Sequence, residues 1–271
     1  MLPIKKIYVD TRLKAPDSRS DSDFFIDLPT TFLMPDDCGF YIEEVCIPHS
    51  WYTVEEGIND QLSFTMGPSN EDVTVPPGVY SVTALGAAIA TGMSNKAISA
   101  GLVPGAGPHF THEYNNLKQT ITIQLTNSLH SFTILTDAEL KVDGKTAVLA
   151  RSINGLIKNY TSKPVNNSPF VSGYIDLNPM RNVYLNCSGL GNFNTITLTG
   201  NRNVVKKIPV NAGPGDVIFD QNVTGMDYLD CSGQTLSRIS FRLTDAYNRI
   251  VNLHGNHFSF SIVFSRVQDG K

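Results

Sequence analysis

His109-Phe110-Thr111-His112-Glu113 is the stretch of this 271-residue chain that comes nearest to a metal-binding motif. Zinc peptidases of the H-E-x-x-H or H-x-x-E-H type put two His one helical turn apart, with Glu as the base. The order here matches neither, and the residues lead into a strand-like run instead of a helix. His254 and His257 flank Gly255-Asn256, where solvent-facing, turn-capping imidazoles are the plain reading. Pro214-Gly215-Asp216 echoes a phrase of the cupin metalloenzymes, but their H-x-H pair with a following Glu is missing. A turn feeding a strand, with Gly215 supplying permissive backbone angles, accounts for it.

The acidic residues Asp216, Asp220, Asp227 and Asp230 could be loop acids near one another, yet no spacing singles out two of them as a glycosidase pair. The chain has no G-x-S-x-G, P-loop or G-x-G-x-x-G, and no Cys has a motif-level His partner. The expectation is therefore no catalytic residue, no metal and no cofactor. One candidate interaction residue stands out, the single Trp51 in Ile47-Pro48-His49-Ser50-Trp51-Tyr52. It could anchor a sugar or a partner, or pack in a core or interface.

The elements that would position these residues are mostly strands. Phe24, Ile26 and Leu28 alternate with Phe25 and Asp27; Leu62, Phe64 and Met66 with Ser63 and Thr65; Ile121, Ile123 and Leu125 with Thr122 and Gln124. Ile239, Phe241 and Leu243, then Phe258, Phe260, Ile262 and Phe264, repeat the pattern near the end, with a short strand Ile250 to Leu253 between them. One segment breaks it. After Val75-Pro76-Pro77-Gly78, apolar Val82, Leu85, Ile89 and Met93 recur at three and four behind Ser81, which predicts a short amphipathic helix with a serine N-cap. Gly86 and Gly92 weaken it, so docking on a sheet must stabilise it. A second helix is expected from about Thr146 to Ile157. Alternating strands with one or two helices in the connections predict an all-β sandwich of two antiparallel sheets, with jelly roll and Greek-key barrel as the topologies to consider. The spacers Ala100 to Pro108 and Thr161 to Pro169 read as exposed loops within one domain, because the patterns on either side are alike.

Composition agrees with a folded chain. Hydrophobic residues make up 41% and charged ones 17%, which excludes disordered, collagenous and coiled-coil classes. Charge that low suggests an exterior partly buried against partners. A net charge of −4 gives no basic face for direct nucleic-acid binding, and no apolar run is long enough for a membrane span. Cys38 and Cys46 flank one apparent strand that holds them roughly 25 Å apart, too far to bond. Cys187 with Cys231 remains an open pairing beside four reduced core cysteines, the reading preferred here. The sequons at Asn159, Asn166, Asn186 and Asn222 are read as chance products of an Asn-rich chain without a secretory leader.

Several phrases, in order, resemble the penton or minor capsid proteins of polintons, polinton-like viruses, virophages and related double-stranded DNA viruses. They are Ser18-Arg19-Ser20-Asp21-Ser22-Asp23-Phe24-Phe25-Ile26-Asp27-Leu28, Val45-Cys46-Ile47-Pro48-His49-Ser50-Trp51-Tyr52-Thr53-Val54 and Val75-Pro76-Pro77-Gly78-Val79-Tyr80-Ser81-Val82-Thr83-Ala84-Leu85. Met180 to Leu185, Val205 to Val210 and Asn252 to Phe260 resemble the family's late strands. The chain departs at His49, where Asn is common after Ile-Pro. The resemblance implies a single jelly roll, with residues 1–22 as an extended N-terminal arm and 23–271 as one domain carrying inserted loops and short helices. It also implies a non-enzymatic virion protein, assembled inside the host cell as a homopentamer at icosahedral fivefold vertices beside the major capsid protein. A trimeric minor capsid protein, or a receptor- or glycan-binding module of the spike or fibre kind, are the alternatives.

Overall fold

The alternating segments become strands in the computed structural model, which describes residues 5–126, 130–135, 169–178, 180–191, 195–224 and 227–266. The first stretch holds β1 (Lys5–Asp10), β2 (Asp23–Leu33) and β3 (Cys38–Pro48). Then come β4 (Gln61–Met66), β5 (Ser69–Thr74), helix α1 (Val82–Ser99), β6 (Phe110–Asn115), β7 (Thr120–Leu125), β8 (Phe132–Ile134) and β9 (Phe170–Val171). The last stretch holds β10 (Asn182–Ser188), β11 (Val204–Pro209), β12 (Val217–Asp220), β13 (Leu229–Asp230), β14 (Thr235–Thr244) and β15 (Ser259–Arg266). The chain divides into two compact units, Met1–Trp51 with Met180–Lys271, and Tyr52–Pro179.

In the first unit the strands pair from the outside in. β1 pairs with β15, β2 with β14, β3 with β12 and β10 with β11, all antiparallel. That is one long hairpin, and rolling it up joins β15 to β3 and β14 to β10. The outcome is two sheets, β1-β15-β3-β12 and β11-β10-β14-β2, with the two-residue β13 added to the edge of β3. This is the jelly-roll topology. Inward residues of both sheets form its core, with Phe24 and Phe241 rings 5.7 Å apart and Phe241 and Phe260 rings 4.9 Å apart.

The open edge between the sheets is closed by charge. Lys206 on β11 and Asp220 on β12 both point inward, 3.2 Å apart, with side chains 10% and 5% exposed. The Lys206 ammonium also donates to the carbonyls of Ile42 and Asn222, each at 3.1 Å. Burial of such a pair is tolerated only because the remaining ammonium protons find acceptors.

The second unit has its own core. Two three-stranded antiparallel sheets, β5-β4-β8 and β6-β7-β9, contribute to it together with α1. Ser81 caps α1 as the spacing predicts, its hydroxyl accepting from the Ala84 N–H at 3.2 Å. The two glycines have a positive role that helix propensity does not reveal. A Cβ on Gly92 would lie 2.4 Å from a Val73 methyl, and one on Gly86 would lie 2.9 Å from the His112 ring. Gly thus lets α1 approach β5 on one side and β6 on the other. Ser94 joins helix to strand by donating to Ala90 O at 2.9 Å while accepting from the Phe110 N–H at 2.8 Å.

Three sequence expectations are revised. Within the expected arm 1–22, Lys5–Asp10 form the edge strand β1, because Ile7 and Val9 alternate onto the core and the backbone finds β15. The stretch expected as one domain, 23–271, is shared between two compact units, and alternating strand patterns occur in both, so no compositional shift marks the ends of the insert. Ile250 to Leu253 is a turn region held by a single bridge, Thr244 to Ile250, not a strand. The helix expected at 146–157 lies outside the described residues.

Candidate assembly surface

The residues singled out for chemistry are dispersed, and several have local partners. His112 and Glu113 are successive residues of β6, so their side chains leave opposite faces. His254 sits in a turn at φ +50°, and His257 places Nδ1 3.2 Å from an Asp21 carboxylate oxygen. Asp220 is paired with Lys206, Asp227 accepts from the Thr224 hydroxyl, and Asp230 accepts from the Ser232 N–H. Among the described residues no group of three His, Cys, Asp or Glu is arranged to hold a metal ion.

Trp51 goes to the core. It is 1% exposed, packed in the jelly-roll cluster, with its ring centroid 4.2 Å from that of His49. Of the two roles open to it, packing is the one its position supports, since a surface anchor needs an exposed ring face. Its phrase forms a local hub. His49 donates its N–H to Asp216 O at 2.8 Å, accepts from the Gly215 N–H at 2.9 Å and places Nδ1 2.8 Å from Ala212 O. The Ser50 hydroxyl donates to Leu253 O at 2.9 Å. The Pro214-Gly215-Asp216 phrase is thus a turn, with Gly215 at φ +89°, that clasps His49 and leads into β12.

What the structure does assemble is an unusual sheet face. On β12, Ile218 and Asp220 point inward, while Val217 (60% exposed) and Phe219 (44%) point outward. Their partners in register are Pro48 and Cys46 of β3, Ser259 stands next along the row, and Asp10 of β1 follows it. Tyr8, 74% exposed, extends the apolar character to β1. Two pairs of charges offset each other here, Lys6 with Glu43 and Arg12 with Asp10, and Glu44 accepts from the Ser261 hydroxyl. The guanidinium of Arg12 holds the Asp10 carboxyl well below the usual range, at about 2. Burial pushes the half-buried Cys46 thiol up. A cleft of about 320 Å³ opens among Asp10, Arg12, Cys46, Pro48, Val217 and His257.

The other sheet faces solvent differently. Its outer side carries exposed Arg242 and Lys207, Arg19 paired with Asp23 at 3.3 Å, and Arg238 between Asp17 and Asp27 while lying 4.4 Å over the Phe25 ring. That is an ordinary solvated face. The neutral face ends in β12, whose far edge pairs with no strand among the described residues. Exposed apolar strands with open edges are points of association unless something covers them. Sequence reasoning missed Val217 and Phe219, although one signal was there: Val217-Ile218-Phe219 is apolar on both faces, the pattern of a strand covered on both sides.

No protein-family model matches the chain, and no curated protein is similar to it in sequence. Solved structures match it in fold. The mavirus penton protein superposes with a TM-score of 0.53 at 12% identity, over 97% of this chain and 100% of that one. A chain of the Sputnik virophage, from its cryo-EM structure, covers 96% of this chain and 98% of its own length at 11% identity and a TM-score of 0.45. The chain therefore shares the fold of the mavirus penton protein along nearly its whole length.

Proposed function

We propose that this chain is a structural capsid protein, the penton that plugs the fivefold vertices of an icosahedral shell as a cyclic pentamer in contact with the major capsid protein. The observation that carries the reading is a complete jelly roll, with an insert after β3, sharing a fold end to end with a penton protein. A ring is built from heterologous contacts, one patch meeting a different patch on the neighbour. The neutral face at β12 has the character of the centre of such a contact, where charge is depleted and aromatic residues are enriched. On this reading the protein assembles inside the host cell, resides in the virion and carries no catalytic step.

Light scattering on the purified protein, alone and with the major capsid protein, tests it. The expected result is a particle of five chains that enters capsid-like shells. A stable monomer excluded from such shells overturns the reading, and a particle of three chains replaces the penton with a trimeric minor capsid protein. Phe219→Arg puts a charge on the exposed face; it is expected to dissociate the ring while leaving the unfolding midpoint of the separated chain unchanged. Metal analysis of the same preparation is expected to find no stoichiometric iron, manganese or zinc.

A further inference from the structure

We propose that Cys38 and Cys231 are an oxidisable pair that closes to a disulfide in the folded protein when it meets a small-molecule disulfide such as oxidised glutathione. The pair is distant in sequence and is brought together by β13. Leu229 and Asp230 lie opposite Phe40 and Gly39 on β3, so the next residue, Cys231, falls opposite Cys38. Its N–H donates to Cys38 O at 3.1 Å, and its thiol lies 3.5 Å from the same carbonyl oxygen. Cross-strand neighbours have Cα atoms about 4.5–5.5 Å apart, inside the range of about 4.4–6.8 Å that a disulfide spans. The other cysteines are placed differently: Cys46 stands opposite Ser259 and Phe219, and Cys187 opposite Phe241.

Both thiols are fully buried, and burial raises the pKa of each. Reaction therefore proceeds through opening of the sheet edge, where β13 contributes a ladder of only two residues. Gly191 closes the pair from another side. A Cβ there would lie 2.3 Å from Asp230 O and 2.9 Å from Cys231 Cα. In the reaction one cysteine thiolate attacks the small disulfide, forming a mixed disulfide and releasing one small thiolate. The second cysteine thiolate then attacks the protein sulfur of that mixed disulfide and releases the other. One small disulfide is reduced to two small thiols, which take up the two protons, and the protein gains one S–S bond. The linkage does not rest on the capsid reading; if that reading holds, passage of the shell out of a reducing cell is where the oxidant would be met.

The test is incubation of the native protein, and of its Cys46→Ser variant, with oxidised glutathione, followed by alkylation in denaturant and peptide mass spectrometry. The expected result is recovery of the Cys38 and Cys231 peptides joined, with Cys187 alkylated, and loss of the joined species in Cys38→Ala. The oxidised protein is also expected to melt higher by Trp51 fluorescence, a shift reversed by dithiothreitol and absent in Cys38→Ala. Recovery of Cys38 and Cys231 both alkylated, or each capped by glutathione, or joined to other cysteines, overturns the proposal. The linkage is read from peptides, so its failure is distinct from any failure to form rings.

Discussion

The two units share a β-rich composition and are built by opposite connectivities. In Tyr52–Pro179 the hairpins are local. β4 runs into β5 through Gly67, held at φ +57°, and β6 runs into β7 through Gln119, at φ +53°. In the jelly roll the outermost pairing sets Lys5 against Phe264, so its register depends on residues at opposite ends of the chain. Local pairings close small loops and form early; distant ones must first meet a large loop-closure cost. The difference teaches that the same strand signals can specify a self-contained insert or a structure that exists only when the chain is whole.

Two optical probes separate the units. The single Trp51 belongs to the jelly-roll core, while α1 lies in the insert. Fluorescence thus follows one and helical circular dichroism the other. Lys206→Met should have the largest effect. It leaves Asp220 buried and unpaired, at a cost of about 3–5 kcal/mol, and the fluorescence transition is expected to fall well ahead of the helical one. Adding Asp220→Leu should restore most of the loss; no recovery would mean that Lys206 acts through packing alone.

Gly92→Ala is the counterpart in the insert. The added methyl meets Val73, and overpacking of this kind costs about 1–3 kcal/mol, offset slightly by better helix propensity. The helical signal is expected to melt first, and an equal shift in both signals would dissolve the distinction between the units. Ser81→Ala removes the cap of α1 and should lower the same transition by about 1 kcal/mol. The smallest effect belongs to Asp10. Its carboxyl pKa is depressed in the folded state to about 2, so its contribution is present above the unfolded carboxylate pKa of roughly 4. It is lost as pH falls through 2. Asp10→Asn should make the fluorescence-detected acid transition slightly shallower between pH 4 and 2 and leave the helical signal unmoved.

Much of this was readable from residue types. Strands such as β7 and β15 announced themselves by period-two alternation, α1 by its serine cap and apolar spacing, and the jelly roll by resemblance on ordered phrases. What escaped depends on partners far away in sequence. Lys5–Asp10 is too short to identify as a strand until β15 is seen beside it, and nothing next to Lys206 in the sequence reveals its ion pair until Asp220 arrives across the sheet edge. Gly92 looked like a helix weakness because propensity says nothing of Val73. Cysteine spacing left Cys187 with Cys231 open and weighed Cys38 only against Cys46, since the two residues of β13 that align Cys231 with it carry no alternation to read. The candidate surface was half legible: low charge hinted at covered faces, but only the fold shows which face is neutral.

The pairing of β1 with β15 also sets a timetable for synthesis. A ribosome adds about 5–20 residues per second, so β1 waits roughly 10–50 s for its partner strand to emerge. During that wait the insert can finish folding, and β1, β2 and β3 have no partner strand until β12 to β15 emerge. Chains growing side by side on one message are then exposed to strand exchange, the β15 of one accepting the β1 of the next. Protein made quickly and at high density is where such exchanged dimers would accumulate, and slower elongation is the condition that favours each chain closing on itself.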